Sequence, residues 1–136
     1  MLVIKISEYR KKSRISFGES CARVSEIVKA NGFAVLAEIR TSEILKSKGF
    51  DYPDLRTYDI CNANYASKAL AIDQKVETII PCHLIVKGVE DYSEVSVQMP
   101  QDLFESLHRQ KSPEVEGFLS EVEMKLKGIV DALTAE

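Results

Sequence analysis

Val76-Glu77-Thr78-Ile79-Ile80-Pro81-Cys82-His83-Leu84-Ile85-Val86 is the stretch on which the fold reading turns. Its β-branched content and period-two alternation predict one long strand. Val76, Thr78, Ile80, Cys82, Leu84 and Val86 fall on one face; Glu77, Ile79, Pro81, His83, Ile85 and Lys87 fall on the other. Pro81 has no N–H to give to a ladder, so the strand is expected at a sheet edge or with a bulge at that residue. Gly88 to Ser93 reads as a turn and Glu94 to Met99 as the next strand, with Val95, Val97 and Met99 inward. A connection that short makes the pair antiparallel.

Upstream, Leu2 to Ile6 reads as an opening strand. Ser16 and Glu19 have capping-box spacing, and Phe17, Cys21, Val24 and Val28 form an apolar helical stripe that ends at Asn31-Gly32. Phe33 to Ile39 is a second strand. Thr41 is expected to cap a short helix containing Ile44 and Leu45 and stopping at Gly49. Leu55 to Cys61 is a third strand, and Asn62 caps a short helix through Leu70. Downstream, Gln101 to Arg109 is helical. Ser112-Pro113 then opens a longer helix whose stripe, from Val115 through Leu119, Val122 and Leu126 to Leu133, must cover one face of the sheet. The fold class is therefore α+β: a single antiparallel-rich sheet of about five strands with helices packed on one face. The other face carries Ile79, His83 and Ile85, a half-apolar surface that suits a homodimer contact.

Residues 1–136 fit one domain, and 45% apolar with 29% charged residues is an ordinary globular balance. The net charge of −3, from 18 basic and 21 acidic residues, argues against nucleic acid as a partner. The one basic cluster, Tyr9 to Arg14, reads as a solvated loop or strand end. No apolar run approaches the roughly 20 residues of a membrane span, and the N-terminus is too short in apolar residues for a signal peptide. Three cysteines without an export signal read as reduced thiols in a cytoplasmic protein.

The motifs in these elements resemble those of the domain-of-unknown-function 302 family. Asn31-Gly32-Phe33-Ala34-Val35-Leu36-Ala37-Glu38-Ile39 is similar to its Gly-Phe-x-Val-Leu-x-Glu-Ile stretch. Cys61-Asn62 with Ala66, Ala69 and Leu70 resembles its Cys-Asn-Pro-x-x-Ala-x-x-Ala-Leu motif, and Ile80-Pro81-Cys82-His83 its Leu-Pro-Cys-Asn strand. The three fall in the family's order across roughly residues 15 to 100. The resemblance implies a β-α-β(4)-α helix-grip arrangement and a homodimer, and no function. The chain departs from the pattern at Ala63, where proline is usual, at His83, where asparagine is frequent, and at Met99-Pro100, which replaces Asp-Pro and removes an acid.

Cys61 is the first residue that can carry chemistry. It precedes a helix cap, and a helix N-terminus lowers a thiol pKa; the alternative is a small packing residue at a strand–helix junction. Asn62 reads as an N-cap or as a ligand-facing amide. Cys82 reads as core, or as a cleft residue if a bulge turns it. If the third and fourth strands are neighbours, Cys61 and Cys82 can meet and bind a soft metal, form a reversible disulfide or pass sulfur between partners. His83 should point away from Cys82, and His108 is solvated. Glu38 is a surface carboxylate or a general acid–base beside a pocket. Cys21 is core. Tyr52, Tyr58 and Tyr65 cluster near the Cys-Asn motif and can line a pocket. No Cys-x-x-Cys, His-Glu-x-x-His, phosphate loop or nucleophile elbow is present, so zinc, nucleotide and serine-hydrolase readings have no support and the cofactor is unknown.

Three readings follow. The first is a homodimeric module binding a small-molecule ligand between sheet and helices through Cys61, Asn62, Cys82, Glu38 and Tyr65. The second is a thiol redox or sulfur-transfer protein using Cys61 and Cys82. The third is a structural dimer whose motifs encode caps and packing.

Overall fold

A computed structural model of the chain describes residues 7–136, so the strand expected at Leu2–Ile6 lies outside the described residues. In chain order the elements are β1 (Glu8–Ser13), α1 (Phe17–Ala30), β2 (Ala34–Ile39), α2 (Thr41–Ser47), β3 (Leu55–Cys61), α3 (Ala63–Ile72), a 3-10 helix (Gln74–Ile79), β4 (Cys82–Val89), β5 (Tyr92–Gln98), α4 (Pro100–His108) and α5 (Pro113–Thr134). The five strands form one sheet in the order β1-β5-β4-β3-β2, and every neighbouring pair is antiparallel. This is the expected α+β architecture.

Local chemistry explains most element ends. The Ser16 hydroxyl accepts from the Glu19 N–H and starts α1. The helix stops at Asn31, and Gly32 takes φ +81°, a left-handed conformation that glycine adopts at no steric cost. Asn62 caps α3 through the Tyr65 N–H, and Ser112 caps α5 through the Val115 N–H, with Pro113 in the first turn. Thr41 is not a cap. It is the first residue of α2, and Arg40 occupies the cap position without a side-chain bond. What pins this helix is Ser42, whose hydroxyl accepts from the Leu55 N–H at 2.9 Å and donates to the Leu55 carbonyl at 3.2 Å.

The expected strand from Val76 to Val86 is two elements. Residues 74–79 wind into the 3-10 helix, and the strand starts only at Cys82. Asp73 accepts from the Lys75 N–H and begins the helix. Val76 and Ile79, three residues apart, then bury the same side of it. Ile80, extended ahead of proline, returns the chain to the sheet through a cis Ile80–Pro81 bond. Because Pro81 lies outside β4, it places no limit on that strand, which runs between β3 and β5 and not at an edge. The irregularity in the sheet is instead in β2, between Val35 and Ala37. Ile79 is buried and does not belong to the open face. The hairpin is also tighter than expected: Val89 pairs with Tyr92, and Glu90 takes φ +54°. The basic cluster forms most of β1, an edge strand, where Arg10, Lys11 and Lys12 discourage pairing with other chains.

Two hydrophobic clusters result. The larger lies between the sheet and the helices α1 and α5. It joins Tyr58, Ile60, Leu84, Val86, Val95 and Val97 to Val24 and Val28 of α1 and to Leu126, Ile129, Val130 and Leu133 of α5. The register explains the sheet side: Leu84 sits opposite both Tyr58 and Val97, and Val86 sits opposite Val95. The smaller cluster is built without the sheet. Ala69, Val76, Ile79 and Phe104 close around Val115 and Leu119. The stripe of α5 is therefore divided, its first third serving the small cluster and its last half the large one. The opposite sheet face is open. There Asp59 lies opposite His83, their Oδ1 and Nδ1 atoms 2.5 Å apart, and Ile85 lies between Thr57 and Ser96.

Candidate functional site

The chain has one crevice with largely apolar walls among its described pockets, and it sits where the two clusters meet. Phe33, Ile60 and Cys82 form its sheet side, and Ala69, Val76 and Ile79 its small-cluster side. Phe118, Leu119 and Val122 of α5 close it along the middle of that helix. The void is about 40 Å³, well below the several hundred Å³ of a typical small-molecule site.

Four of the five residues expected to bind a ligand line this crevice: Cys61, Asn62, Tyr65 and Cys82. β3 and β4 bring them together. Cys82 pairs with Ile60, so Cys61 is one residue out of register from Cys82 at the strand end. All three cysteines are unpaired thiols. Burial pushes the Cys82 thiol up to about 12, and a charge on nearby Cys61 would push it in the same direction. Burial raises Cys61 as well. The direction is opposite to the one a helix N-terminus would give, because loss of hydration penalises the thiolate.

Asn62 is committed to structure on both sides of its amide. Its Oδ1 accepts from the Tyr65 N–H at 3.1 Å, and its Nδ2 donates to the Gly32 carbonyl at 2.9 Å. One side chain thus fastens the start of α3 to the turn between α1 and β2. Tyr65 meets Phe118 edge-on, with ring centroids 6.5 Å apart. A hydrogen bond to Glu121 holds its phenol above the ordinary range.

Glu38 does not line the crevice. It sits opposite Tyr58 in the β2–β3 register, and its Oε1 accepts from the Tyr58 hydroxyl and from Arg56 Nη1, each at 3.3 Å. Arg56 also reaches Glu43 at 2.8 Å and lies over the Phe17 ring. Tyr58 is buried in the same network with Cys21, whose thiol is pushed up by burial. These groups support the N-terminal end of α1. Tyr52 is exposed in the loop before β3. Of the three expected pocket tyrosines, only Tyr65 is at the crevice. Sequence reasoning missed Phe33, Pro100 and Phe118 as walls. Phe118 was legible as part of the α5 stripe, but the stripe does not say which of two clusters each turn faces. His108 donates to or accepts from the Thr78 hydroxyl at 2.7 Å and packs on Phe104, so it ties α4 to the 3-10 helix. No helix is long and apolar enough to cross a membrane among the described residues.

Residues 9–133 match the family described as domain of unknown function DUF302. A solved structure described as an uncharacterized conserved DUF302 protein from Bacillus stearothermophilus is similar, with 23% identity and a TM-score of 0.83 over 91% of this chain and 95% of that one. At that identity the likeness speaks for the fold. No curated protein matches the chain.

Proposed function

Because the chain belongs to the DUF302 family, whose fold carries no assigned activity, we propose a function from the geometry: the crevice between the two clusters binds a small, mostly apolar ligand. The observation that supports this is the lining itself. Apolar walls from the sheet, the 3-10 helix and α5 converge beside two thiols and one phenol. This is the usual composition of a small-molecule site, an apolar surface with few polar groups. The void of about 40 Å³ admits a few heavy atoms, so a larger ligand enters by parting α3 and the 3-10 helix from α5. The thiol-enzyme reading is weaker, because burial pushes both crevice thiols up and leaves little thiolate at neutral pH.

A panel of small apolar molecules of increasing size, screened by methyl NMR, tests the proposal. Binding should shift the methyls of Ile79, Ile80 and Val122 and be lost in Ala66→Leu, which adds bulk to the crevice lining. Binding that leaves those methyls unmoved, or no binding across the panel, would reject the crevice as the site.

The domain also forms a homodimer in this proposal, across the β2 end of the sheet. Among the described residues, five of the nine large apolar side chains left exposed, Leu36, Ile39, Ile44, Phe50 and Tyr52, lie within residues 36–52. Leu36 is 62% exposed on an edge strand that lacks the basic guard of β1. Ile39 also continues the Thr57–Ile85 row of the open face, so a second copy would cover the edge and the adjoining face together.

A further inference from the structure

The open face of the sheet carries one close acid–imidazole pair. Asp59 Oδ1 and His83 Nδ1 lie 2.5 Å apart, with 17% of the acid side chain and 51% of the imidazole exposed. We propose that this pair makes the homodimer pH-sensitive: each copy takes up one proton at Asp59–His83 when a second copy covers the face, so the dimer tightens as pH falls. This rests on the dimer reading above and names how that contact is regulated.

Position is the first support. Strand register sets Ala37, Asp59 and His83 in one row across β2, β3 and β4. The next row is Ile39, Thr57 and Ile85, which a second copy would cover with the β2 edge. Adjacent rows on one side of a sheet are roughly 7 Å apart, so a contact over Ile39 and Ile85 also reaches the pair. A second copy fits because the face is graded. Its β2 end offers exposed Leu36 and Ile39, while its β1 end presents Glu8, Arg10 and Lys12.

Charge is the second support. Among the described residues, His83 is the one hydrogen-bond partner of the Asp59 carboxylate. With a neutral imidazole the pair carries one negative charge. With one more proton it is neutral overall, as imidazolium with carboxylate or as imidazole with carboxylic acid. Covering the face removes the water that solvates the charged form, and an uncompensated charge is the costlier one to cover. Association therefore draws one proton per copy from solvent, whichever atom of the pair holds it. The other charges on this face are paired or farther off. Arg10 holds Glu8 and Glu94, and Lys12 and Lys87 flank Glu94. Gln98, in line with His83 on β5, is neutral, and Cys61, next on that side of β3, is a thiol raised by burial.

The sign follows from linkage. The dimer holds more protons than two separate copies, so its formation constant rises as pH falls through the histidine range. Two protons per dimer set a ceiling of about 100-fold per pH unit. The rise levels off once the pair is protonated in the separate copies too.

The experiment is sedimentation equilibrium of the full chain at fixed ionic strength from pH about 8 to about 6, the range in which histidine titrates. The dimer dissociation constant should fall at least about 10-fold across that range. In His83→Asn, whose amide can still donate to Asp59, it should stay nearly flat. His108 is the internal control, since it is held by Thr78 and Phe104 in the small cluster, away from the sheet. Imidazole NMR on the parent chain, concentrated and dilute, decides the matter even if the variant folds poorly: the His83 ring should stay protonated to higher pH in the dimer, and the His108 ring should not change. A dimer of equal strength at every pH, one that tightens in alkali, or one whose pH dependence survives His83→Asn would overturn this inference and leave the dimer standing. A chain that is monomeric at every pH and concentration ends both.

Discussion

Replacing Asn62 by alanine should destabilise the domain by about 2 kcal/mol, and the structure says how that sum divides. The Oδ1 bond to the Tyr65 N–H is an N-cap, worth about 1 kcal/mol. The Nδ2 bond to the Gly32 carbonyl is a neutral hydrogen bond of good length, worth about 1 kcal/mol. Asn62→Asp separates them. Its carboxylate still accepts from Tyr65 and suits a helix N-terminus, but it has no donor for Gly32. The aspartate variant should therefore lose about half as much as the alanine variant. Urea denaturation monitored by circular dichroism measures both. For a chain of this length, about 2 kcal/mol corresponds to a fall of roughly 6–10 °C in Tm. An alanine variant within about 0.5 kcal/mol of the parent, inside the noise of surface substitutions, would show that Asn62 carries no structural load and is free to face a ligand. An aspartate variant as unstable as the alanine would refute the division between cap and clasp.

Stability should fall in alkali. The folded state holds the Cys82 proton more tightly than the unfolded state, so this contribution is complete below the ordinary thiol value near 9.0 and is lost as pH rises toward about 12. Cys61, Cys21 and Tyr58 are shifted in the same direction, so Cys82→Ala should flatten part of the decline in urea midpoint and not all of it; an unchanged slope would contradict the burial of this thiol. Phe104→Ala, at a fully buried ring in the small cluster, should cost about 3–5 kcal/mol by the same denaturation assay. Leu36→Asp should shift the sedimentation of the chain from dimer to monomer without changing its urea midpoint at low concentration, and a parent chain that is monomeric at every concentration would end the dimer proposal.

What could be read in the sequence was what local chemistry decides. Ser16, Asn31-Gly32, Asn62 and Ser112-Pro113 mark helix ends because their groups bond within a few residues of themselves. The hairpin pairing of β4 and β5 was legible for the same reason. The run from Val76 to Ile80 was not, because β-branched residues at alternate positions fit a strand and also fit a 3-10 turn. What separates the two is the distant Phe104, Val115 and Leu119 surface that Val76 and Ile79 bury against. The candidate site divides in the same way. Cys61, Asn62 and Tyr65 come from one junction, and β3–β4 pairing brings in Cys82. Glu38 shares a motif with Phe33, which does line the crevice, yet strand alternation and the bulge in β2 turn the carboxylate toward Arg56.

The division of α5 has a dynamic consequence. At 22 residues it is about 33 Å long, and it acts as a common spine for two units of unequal strength. The larger unit holds the sheet, while the smaller is three short helical segments resting on one stretch of the spine. Such a unit opens by itself at a lower free energy than the whole domain. Amides of α3, the 3-10 helix and α4 should therefore exchange with solvent ahead of those in β3 to β5. The crevice lies along the line between the two units. If the crevice binds as proposed, loosening Phe104's hold on the three helices should speed the entry of a guest.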